Sequence, residues 1–566
     1  AAEDSGFGPV VEDNYQPAAP AQPEDADQPE SADQQKDADQ PEGADQPEST
    51  DQPKDADQQE STEEPEDADR QESADQQPQQ AAPAAAAAPA ASTPGNGFCK
   101  NIITVINKCA DKVLNLTLKD VKIDVSDTGI PGTTIKGKAA LSVQGNGNVE
   151  IELDGDNELK SGANRAGLEK NTSDSTGTLT LKDDNKEAGS LKATGGENGA
   201  GIGGGNRGSG KNITIKGGTV NATGGLDGAG IGGGGGCWGS GEDITIKGGT
   251  VTAAGGLQAA GIGGGNGGGG NGGGGREGSG KNITITGGTV NTTGGDNGGA
   301  GIGGGFLGSG EAITITGGTV NATGTDGAGI GGGDEGNGKD ITIKGGTVTA
   351  DGGDYAAGIG GGDEGNGEDI TITGGTVTAK GGSGGAGIGG GERGNGEDIT
   401  ITDGTVNAAG GVSGAGIGGG WKGSGSNVTV SGAAQVTATA GKGSRYAGAG
   451  ATIGGGGSST QDSDGNTVPT PGTEIQADIK GLTTGYIHHI IYEQDGTTIK
   501  REWWEPVRPQ PNPEDPNAPT EESNEVSLGT PILHVETLEG DPLPFNAQQQ
   551  GSTLRVTSDN LAARLH

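Results

Sequence analysis

The chain has 566 residues, of which 126 are Gly and only 13 are aromatic, far fewer large apolar side chains than a globular protein of this length needs. The glycines follow no period of three and no run approaches the ~20 apolar residues of a membrane span, which excludes collagen and predicts no transmembrane segment. The net charge of −42 opposes binding to nucleic acid or anionic lipid, so we expect no nucleic-acid partner.

Residues 1–97 form a low-complexity segment in which D-A-D-Q-P-E recurs with variations. It carries 25 acidic residues against 3 basic ones, a net charge of −22, and it ends in an Ala-rich run. A segment with so few apolar residues cannot offset the ~1–2 kcal/mol per residue that ordering its backbone costs. We therefore predict a disordered acidic spacer, serving either as a stalk or as a solubilising tail.

The sequence begins at Ala1 and contains no Met, which we interpret as the result of signal-peptide removal. The expected location is extracellular, secreted or at a cell surface. In that compartment Cys99 and Cys109 are close enough in sequence to form a disulfide, and Cys237 would be left over.

From Asn101 onward apolar and polar residues alternate, as in Leu114–Leu118 and Val149–Leu153. This period of two is typical of strands. The segments precede a stronger repeat, and terminal repeats are expected to be atypical because they cap the core. We interpret them as early coils of the same stack.

A cassette then recurs eight times: A-G-I-G-G-G, a short Gly-rich loop, and I-T-I-x-G-G-T-V-[NT]-A. The central isoleucines lie at 202, 231, 262, 302, 330, 359, 388 and 417, mostly 28–31 residues apart. A fixed period in this range, built from short strands, indicates a stacked repeat protein.

Alternation within one cassette assigns its faces. Ile341, Ile343, Val348 and Ala350 should point inward with Ile330, while the residues between them point outward. Three short strands joined by Gly turns make one coil. The predicted fold is therefore mainly β: a right-handed parallel β-helix of about 29 residues per coil, spanning 98–457.

After residue 457 the cassette stops. Residues 458–475 are predicted to be a linker. Residues 476–566 contain strand-like runs separated by a Pro-rich acidic loop, and we predict a small accessory β domain or a cap.

No catalytic residues are predicted. The four histidines lie outside the repeats, and no G-x-S-x-G or H-E-x-x-H motif is present. The adjacent pair His488 and His489 is interpreted as one inward and one outward strand residue, with a metal site as the alternative. The repeats are also too alike to single out one active coil, so we expect a non-enzyme.

Calcium is the one cofactor the sequence suggests. The loops before I-T-I partly resemble the G-G-x-G-x-D of calcium-binding β-rolls but differ in their period. Stacking would align carboxylates about 4.8 Å apart, where they repel unless solvated or bridged by a cation. The alternative is that Asp or Asn caps this turn. The candidate ligands are Asp334, Asp340, Asp363, Asp369 and Asp398.

Two sets of residues are candidates for glycan binding. Outward threonines form a flat polar face, which could also suit ice, although Asn interrupts it and Thr is simply a good strand residue. Aromatic residues follow the G-G-G runs and could stack on sugar rings or merely pack over glycine backbone. The candidates are Trp238, Phe306, Trp421, Thr347, Thr349, Thr376 and Thr378. Trp503 and Trp504 are assigned to the C-terminal core.

The two cassette motifs resemble the glycine-rich parallel β-helix repeats of secreted and surface proteins of Gram-positive anaerobic bacteria, over about 101–457. This resemblance implies an extracellular, adhesin-like protein that binds carbohydrate. The predicted partner is a polysaccharide, or a glycan or protein of a host surface. The alternatives are a purely structural rod or coat protein, and a polysaccharide lyase or hydrolase.

Overall fold

The computed structural model describes residues 97–171, 173, 175–236, 239–267 and 278–506, together with four short strands between 535 and 565. This part of the chain consists of strands and turns, so it contains no helix long and apolar enough to cross a membrane. From about residue 99 it winds into a parallel β-helix, and each regular coil adds one strand to each of three ladders. The predicted parallel β-helix is confirmed. The spacer prediction for 1–97 falls almost entirely outside the described residues.

The glycine ladder is built from the A-G-I-G-G-G runs and forms a sheet of 12 described strands. Most of its strands are only two residues long, because a glycine corner precedes each strand and another follows it. The strands are Ile103–Ile106, Leu141–Gln144, Leu168–Glu169, Ile202–Gly203, Ile231–Gly232, Ile262–Gly263, Ile302–Gly303, Ile330–Gly331, Ile359–Gly360, Ile388–Gly389, Ile417–Gly418 and Ile453–Gly454.

The I-T-I ladder contains the first longer strand of each coil. Its strands are Val113–Lys119, Leu179–Lys182, Gly210–Ile215, Gly241–Ile246, Gly280–Ile285, Gly310–Ile315, Gly338–Ile343 and Gly425–Val430. Three longer strands run through this ladder and the next one, namely Asn148–Lys160, Gly367–Lys380 and Gly396–Ala409.

The T-V ladder follows the Gly-Gly turn. Its strands are Lys122–Asp124, Gly189–Thr194, Thr219–Thr223, Thr250–Ala254, Thr289–Thr293, Thr319–Thr323, Thr347–Asp351, Gln435–Thr439 and Tyr486–Tyr492. Equivalent residues pair in register from coil to coil, for example Thr347 with Thr376 and Val348 with Val377.

The core is a set of apolar columns that run along the inside of the coils. Ile330, Ile341, Ile343, Val348 and Ala350 are all at most 1% exposed, so the predicted inward faces are confirmed. Burying a side chain as large as Ile or Val contributes roughly 1.5–3 kcal/mol. Four such residues per coil cannot order about 29 residues alone, and stacking against neighbouring coils supplies the remainder.

Glycine is required where one coil rests on the next. Gly360 has φ +133°, and a methyl group added to it would lie 1.9 Å from the carbonyl oxygen of Gly389. The same arrangement recurs along the glycine ladder, as at Gly331 and Gly389. Backbone therefore packs directly on backbone at this corner, which excludes every larger residue.

The predicted disulfide is not formed, since Cys99 and Cys109 are both free and exposed. The backbone of Cys99 forms an isolated β-bridge with Ile123. Ile123 in turn pairs with Leu159, near the C-terminal end of the strand Asn148–Lys160. Cys109 follows Asn107, whose amide reaches the carbonyl of Asn148 at the opposite end of that strand. A disulfide needs Cα atoms within about 7 Å, and Cys99 and Cys109 are attached near opposite ends of the 13-residue strand Asn148–Lys160.

The C-terminal boundary differs from the prediction. The linker contains a hairpin, Ser458–Gln461 with Thr467–Thr470. Tyr486–Tyr492 then stacks in parallel on Gln435–Thr439, and Ile499–Glu505 adds an antiparallel strand. Residues 476–505 therefore close the β-helix, which is the cap alternative of the prediction, because Tyr486–Tyr492 continues the T-V ladder and its Ile487 is buried against the core.

Two further strand pairs lie beyond this closing hairpin. They are antiparallel and pair Val535–Glu536 with Arg564–Leu565, and Asn546–Gln550 with Thr553–Thr557. The Pro-rich acidic loop before them lies outside the described residues.

Candidate functional site

The residue that follows each G-G-G run forms a column along one corner of the β-helix. Backbone amides fix its register: Leu307 donates to the carbonyl of Asp334, Glu335 to that of Asp363, Glu364 to that of Glu392, and Arg393 to that of Trp421. Successive coils lie about 4.8 Å apart. We call the set Phe306, Asp334, Asp363, Glu392 and Trp421 the acidic–aromatic column.

Side chains in this column lie against one another and against the neighbouring corner. A methyl group added at Gly298 would lie 2.9 Å from both Phe306 and Asp334, so the ring and the aspartate are adjacent. A methyl group at Gly384 would lie 3.3 Å from Glu392 Oε2 and 3.5 Å from the Tyr355 ring. Tyr355 is 46% exposed and therefore adds a third aromatic ring beside the column.

Three stacked carboxylates make the middle of the column electrostatically unfavourable. Burial raises the pKa of Asp334 to about 6, and the negative charge of Asp363 adds to this shift. Burial also raises the pKa of Asp363 and of Glu392. Asp363 Oδ1 is buried and has no hydrogen-bond partner among the described residues. Hydroxyl donors or a cation at the column would relieve this repulsion.

Basic residues neutralise only the C-terminal end of the column, near Glu392 and Trp421. Arg393 pairs with Glu364 of the preceding coil and lies 3.5 Å from Glu392. The Lys422 ammonium lies 3.9 Å from the centroid of the Trp421 ring, covering one face of it. Asp334 and Asp363 have no ion pair among the described residues. The negative potential is therefore concentrated between Phe306 and Glu392.

The predicted threonine face is present but is separate from this column. Thr347 pairs with Thr376, and Thr349 with Thr378, on the outer side of the T-V ladder. In several earlier coils asparagines occupy the positions equivalent to Thr349. Among them, Asn321 Nδ2 donates a hydrogen bond to Asn291 Oδ1 at 2.9 Å. The I-T-I strand separates this face from the column along the chain.

The five candidate calcium ligands do not form one cluster. Asp340, Asp369 and Asp398 are exposed residues at the start of the I-T-I strands, with φ of +53° to +55°. Asp and Asn tolerate this left-handed backbone better than most residues, which accounts for their recurrence there. Among the described residues, no three acidic, His or Cys side chains converge in a geometry that could hold a metal ion.

Two further aromatic predictions have different outcomes. Trp238 and Cys237 lie outside the described residues. Trp503 stacks on the buried His489 with centroids 4.4 Å apart, whereas Trp504 stacks on His488 at 3.9 Å. Because His489 is in register with the inward Ala438, Trp503 covers the end of the core as expected. Trp504, opposite His488 in the closing hairpin, belongs to the outward side.

Sequence reasoning missed the continuity of the column. It treated Phe306 and Trp421 as residues of non-neighbouring coils, and it did not include Glu392 or Tyr355 among the candidate site residues. The signal was available, because all of the column residues directly follow G-G-G. Tyr355 has no such signal, since it approaches the column only through the adjacent corner.

Comparisons with known proteins agree with this architecture. A family profile described as a beta helix repeat matches residues 187–206, 213–235, 283–306, 313–334, 341–363, 370–392 and 399–421. Every matched segment ends at the corner position that contains the column. No curated protein and no solved structure matches the chain. The profile and the coiled strands together support a parallel β-helix repeat protein.

Proposed function

We propose that this chain is a non-enzymatic, adhesin-like extracellular protein that binds glycan on a host or cell surface through the outer faces of its β-helix. The observation that carries the proposal is the acidic–aromatic column. It aligns Phe306 and Trp421 on one corner, with Asp334, Asp363 and Glu392 between them.

The chemistry of the column suits a hydroxylated ligand. Carboxylates accept hydrogen bonds from hydroxyl groups, and aromatic rings pack against the C–H faces of sugars. Four coil steps of about 4.8 Å give the column a length of roughly 19 Å, enough to follow an extended oligosaccharide. The exposed ring of Tyr355 widens the surface beside Glu392. Asn and Thr on the T-V ladder offer a second, weaker polar face.

The first experiment is a pull-down of the full chain with insoluble polysaccharides and a glycan array, in calcium and in chelator. Saturable binding to one glycan class is expected. Phe306→Ala combined with Trp421→Ala should abolish it, while Trp421→Phe should retain most of it. Tyr492→Ala, an aromatic change in the closing hairpin, is the matched control.

The outcomes separate the candidate functions. Loss of binding in chelator would place a cation between the carboxylates of the column. Absence of binding to every glycan, with an intact β-sheet spectrum, would overturn the glycan-binding proposal. The structural rod or an adhesin for a protein receptor would then be the remaining candidates.

A polysaccharide hydrolase is the second candidate, because one observation favours it. Asp334 has a pKa raised to about 6 and stacks on Asp363 one coil away. A protonated carboxylic acid about 5–5.5 Å from a second carboxyl group is the arrangement of retaining glycosidases. Release of soluble sugar that is lost in both Asp334→Asn and Asp363→Asn would establish the enzyme and overturn the binding-only function.

A further inference from the structure

A polar cleft lies at the opposite end of the β-helix from the closing hairpin. Its volume is ≈ 410 Å³, which falls within the range of small-molecule sites. It opens between the loop that follows Val125 and the corners of the next coils. The lining residues are Thr134, Lys136, Asn171, Ser173, Asn206, Arg207 and Gly208.

Hydrogen bonds hold the loop in place over the coils. Asn164 Nδ2 donates to the carbonyl of Thr133 at 2.8 Å, and the amide of Gly132 donates to Glu197 Oε2 at 2.6 Å. On the opposite wall, Asn171 accepts from the amide of Gly205 at 2.8 Å. Both walls of the cleft are therefore fixed before any ligand binds, which lowers the entropic cost of binding.

The cleft is basic in a strongly acidic protein. Lys136 and Arg207 approach it from opposite walls, and neither makes an ion pair with another described residue. In later coils, the residues at the position of Arg207 already have partners. Arg393 forms ion pairs with Glu364 and Glu392, and the Lys422 ammonium lies over the Trp421 ring. Among the described residues, Lys136 and Arg207 therefore bring two unpaired positive charges to the lining of one cleft.

Two described carboxylates near the cleft, Glu169 and Glu197, have other partners. Glu169 lies 2.6 Å from the Arg165 guanidinium and also accepts from Asn171. Glu197 accepts from the amide of Gly132 in the loop. Both carboxylates therefore have partners other than Lys136 and Arg207, which line the cleft.

We propose that this cleft binds a compact oxyanion, namely a sulfate, phosphate or carboxylate group carried on a hydroxylated molecule such as an acidic sugar. The Arg207 guanidinium suits two oxygens of such a group, and the Lys136 ammonium supplies a second charge. Asn171 and Thr134 offer hydrogen bonds to neighbouring hydroxyls. The site is separate from the acidic–aromatic column and does not depend on the function proposed for it.

Calorimetric titration of the full chain tests the proposal with four probes. These are inorganic sulfate, inorganic phosphate, an oligogalacturonate, and a neutral oligosaccharide of the same length. Binding that depends on Arg207 and Lys136 is expected for the oligogalacturonate and not for the neutral sugar, and it should weaken as salt is raised. Tighter binding of the free anions than of the acidic sugar would identify the ligand as the anion alone.

Two variants locate the site. Arg207→Asn suits the φ of +60° at this position and should weaken binding about tenfold, as should Lys136→Gln. Lys344→Gln removes an exposed positive charge from the I-T-I ladder of a later coil and should leave the affinity unchanged. Equal affinity for the oligogalacturonate in wild type and Arg207→Asn would overturn the proposal.

Discussion

The Lys281 ammonium lies 2.9 Å from the Glu311 carboxylate of the next coil. On its other side Lys281 is in register with Glu242, which itself pairs with Lys211 at 3.0 Å. Positive and negative residues therefore alternate up this edge of the I-T-I ladder. Such cross-strand pairs favour the observed register because a slipped strand would separate these opposite charges.

Replacing Lys281 by Glu places three carboxylates in successive coils. Since these side chains are substantially exposed, each pair contributes only about 0.2–1 kcal/mol, and we expect a loss of about 1 kcal/mol in the free energy of unfolding. Urea denaturation at low and high salt measures it, and salt should reduce the loss.

Lys344→Glu is the matched control for Lys281→Glu, because Lys344 lies in register between Thr316 and Thr373. It should leave stability nearly unchanged. If the two variants lose the same amount, the alternating charges contribute nothing to stability.

Gly360→Ala should destabilise the β-helix by about 3 kcal/mol or more. The added methyl group would lie 1.9 Å from a backbone oxygen, and the φ of +133° is unfavourable for any L side chain. Thermal unfolding followed by circular dichroism measures the effect. Gly217→Ala is the control, because its methyl group would lie 3.3 Å from the nearest atom, the backbone nitrogen of Asp183. Equal melting temperatures for the two variants would contradict backbone-on-backbone stacking.

Asp334→Asn should stabilise the protein at pH 7. The pKa of Asp334 is about 6 when folded, above the ~3.9 of an unfolded chain, so the folded state holds this proton more tightly. The stability that this proton contributes is present at low pH and is lost as the pH rises from about 4 through about 6.

The measurement for Asp334 is the melting temperature of wild type and variant from pH 4 to 7.5. The difference between them should grow with pH in favour of Asp334→Asn. A lower melting temperature for Asp334→Asn at pH 7 would mean that its carboxylate is stabilised by a contact of opposite charge.

His489→Phe should make the C-terminal cap resistant to mild acid. Burial lowers the pKa of His489 to about 3, and the nearby His488 and Arg501 add to the shift. Below pH ~6.5 His489 is protonated in the unfolded chain but stays neutral in the folded cap. The stability of the cap therefore falls as the pH decreases toward 3. Fluorescence of Trp503, which stacks on His489, follows opening of the cap.

Wild type and His489→Phe should have similar cap stability at pH 7.5 and diverge at pH 4–5, with the variant more stable. A Phe ring retains the stacking on Trp503, and the Thr452 hydroxyl keeps its bond to Glu474. Parallel acid transitions in both proteins would exclude His489 as the group responsible.

Several structural features could be predicted from local pattern alone. The spacing of isoleucines such as Ile330 and Ile359 gave the period, and the alternation around Val348 gave the inward and outward faces. These patterns suffice because each strand pairs with its own copy one coil away, so one repeat specifies its neighbours. The recurrence of Asp or Asn at Asp340 and its equivalents likewise reflects a purely local requirement for positive φ.

Other features depended on contacts between distant segments. The sequence did not show that Tyr486–Tyr492 continues the sheet, because its aromatic and His residues do not resemble the T-V cassette it pairs with. Nor did it show that Lys136 faces Arg207 across a cleft, since an irregular loop brings them together. The repeat itself, including the position of the column after each G-G-G run, was determined by sequence, because each coil is a local pattern. The caps and the cleft were decided only by tertiary stacking, which sets irregular segments against particular coils.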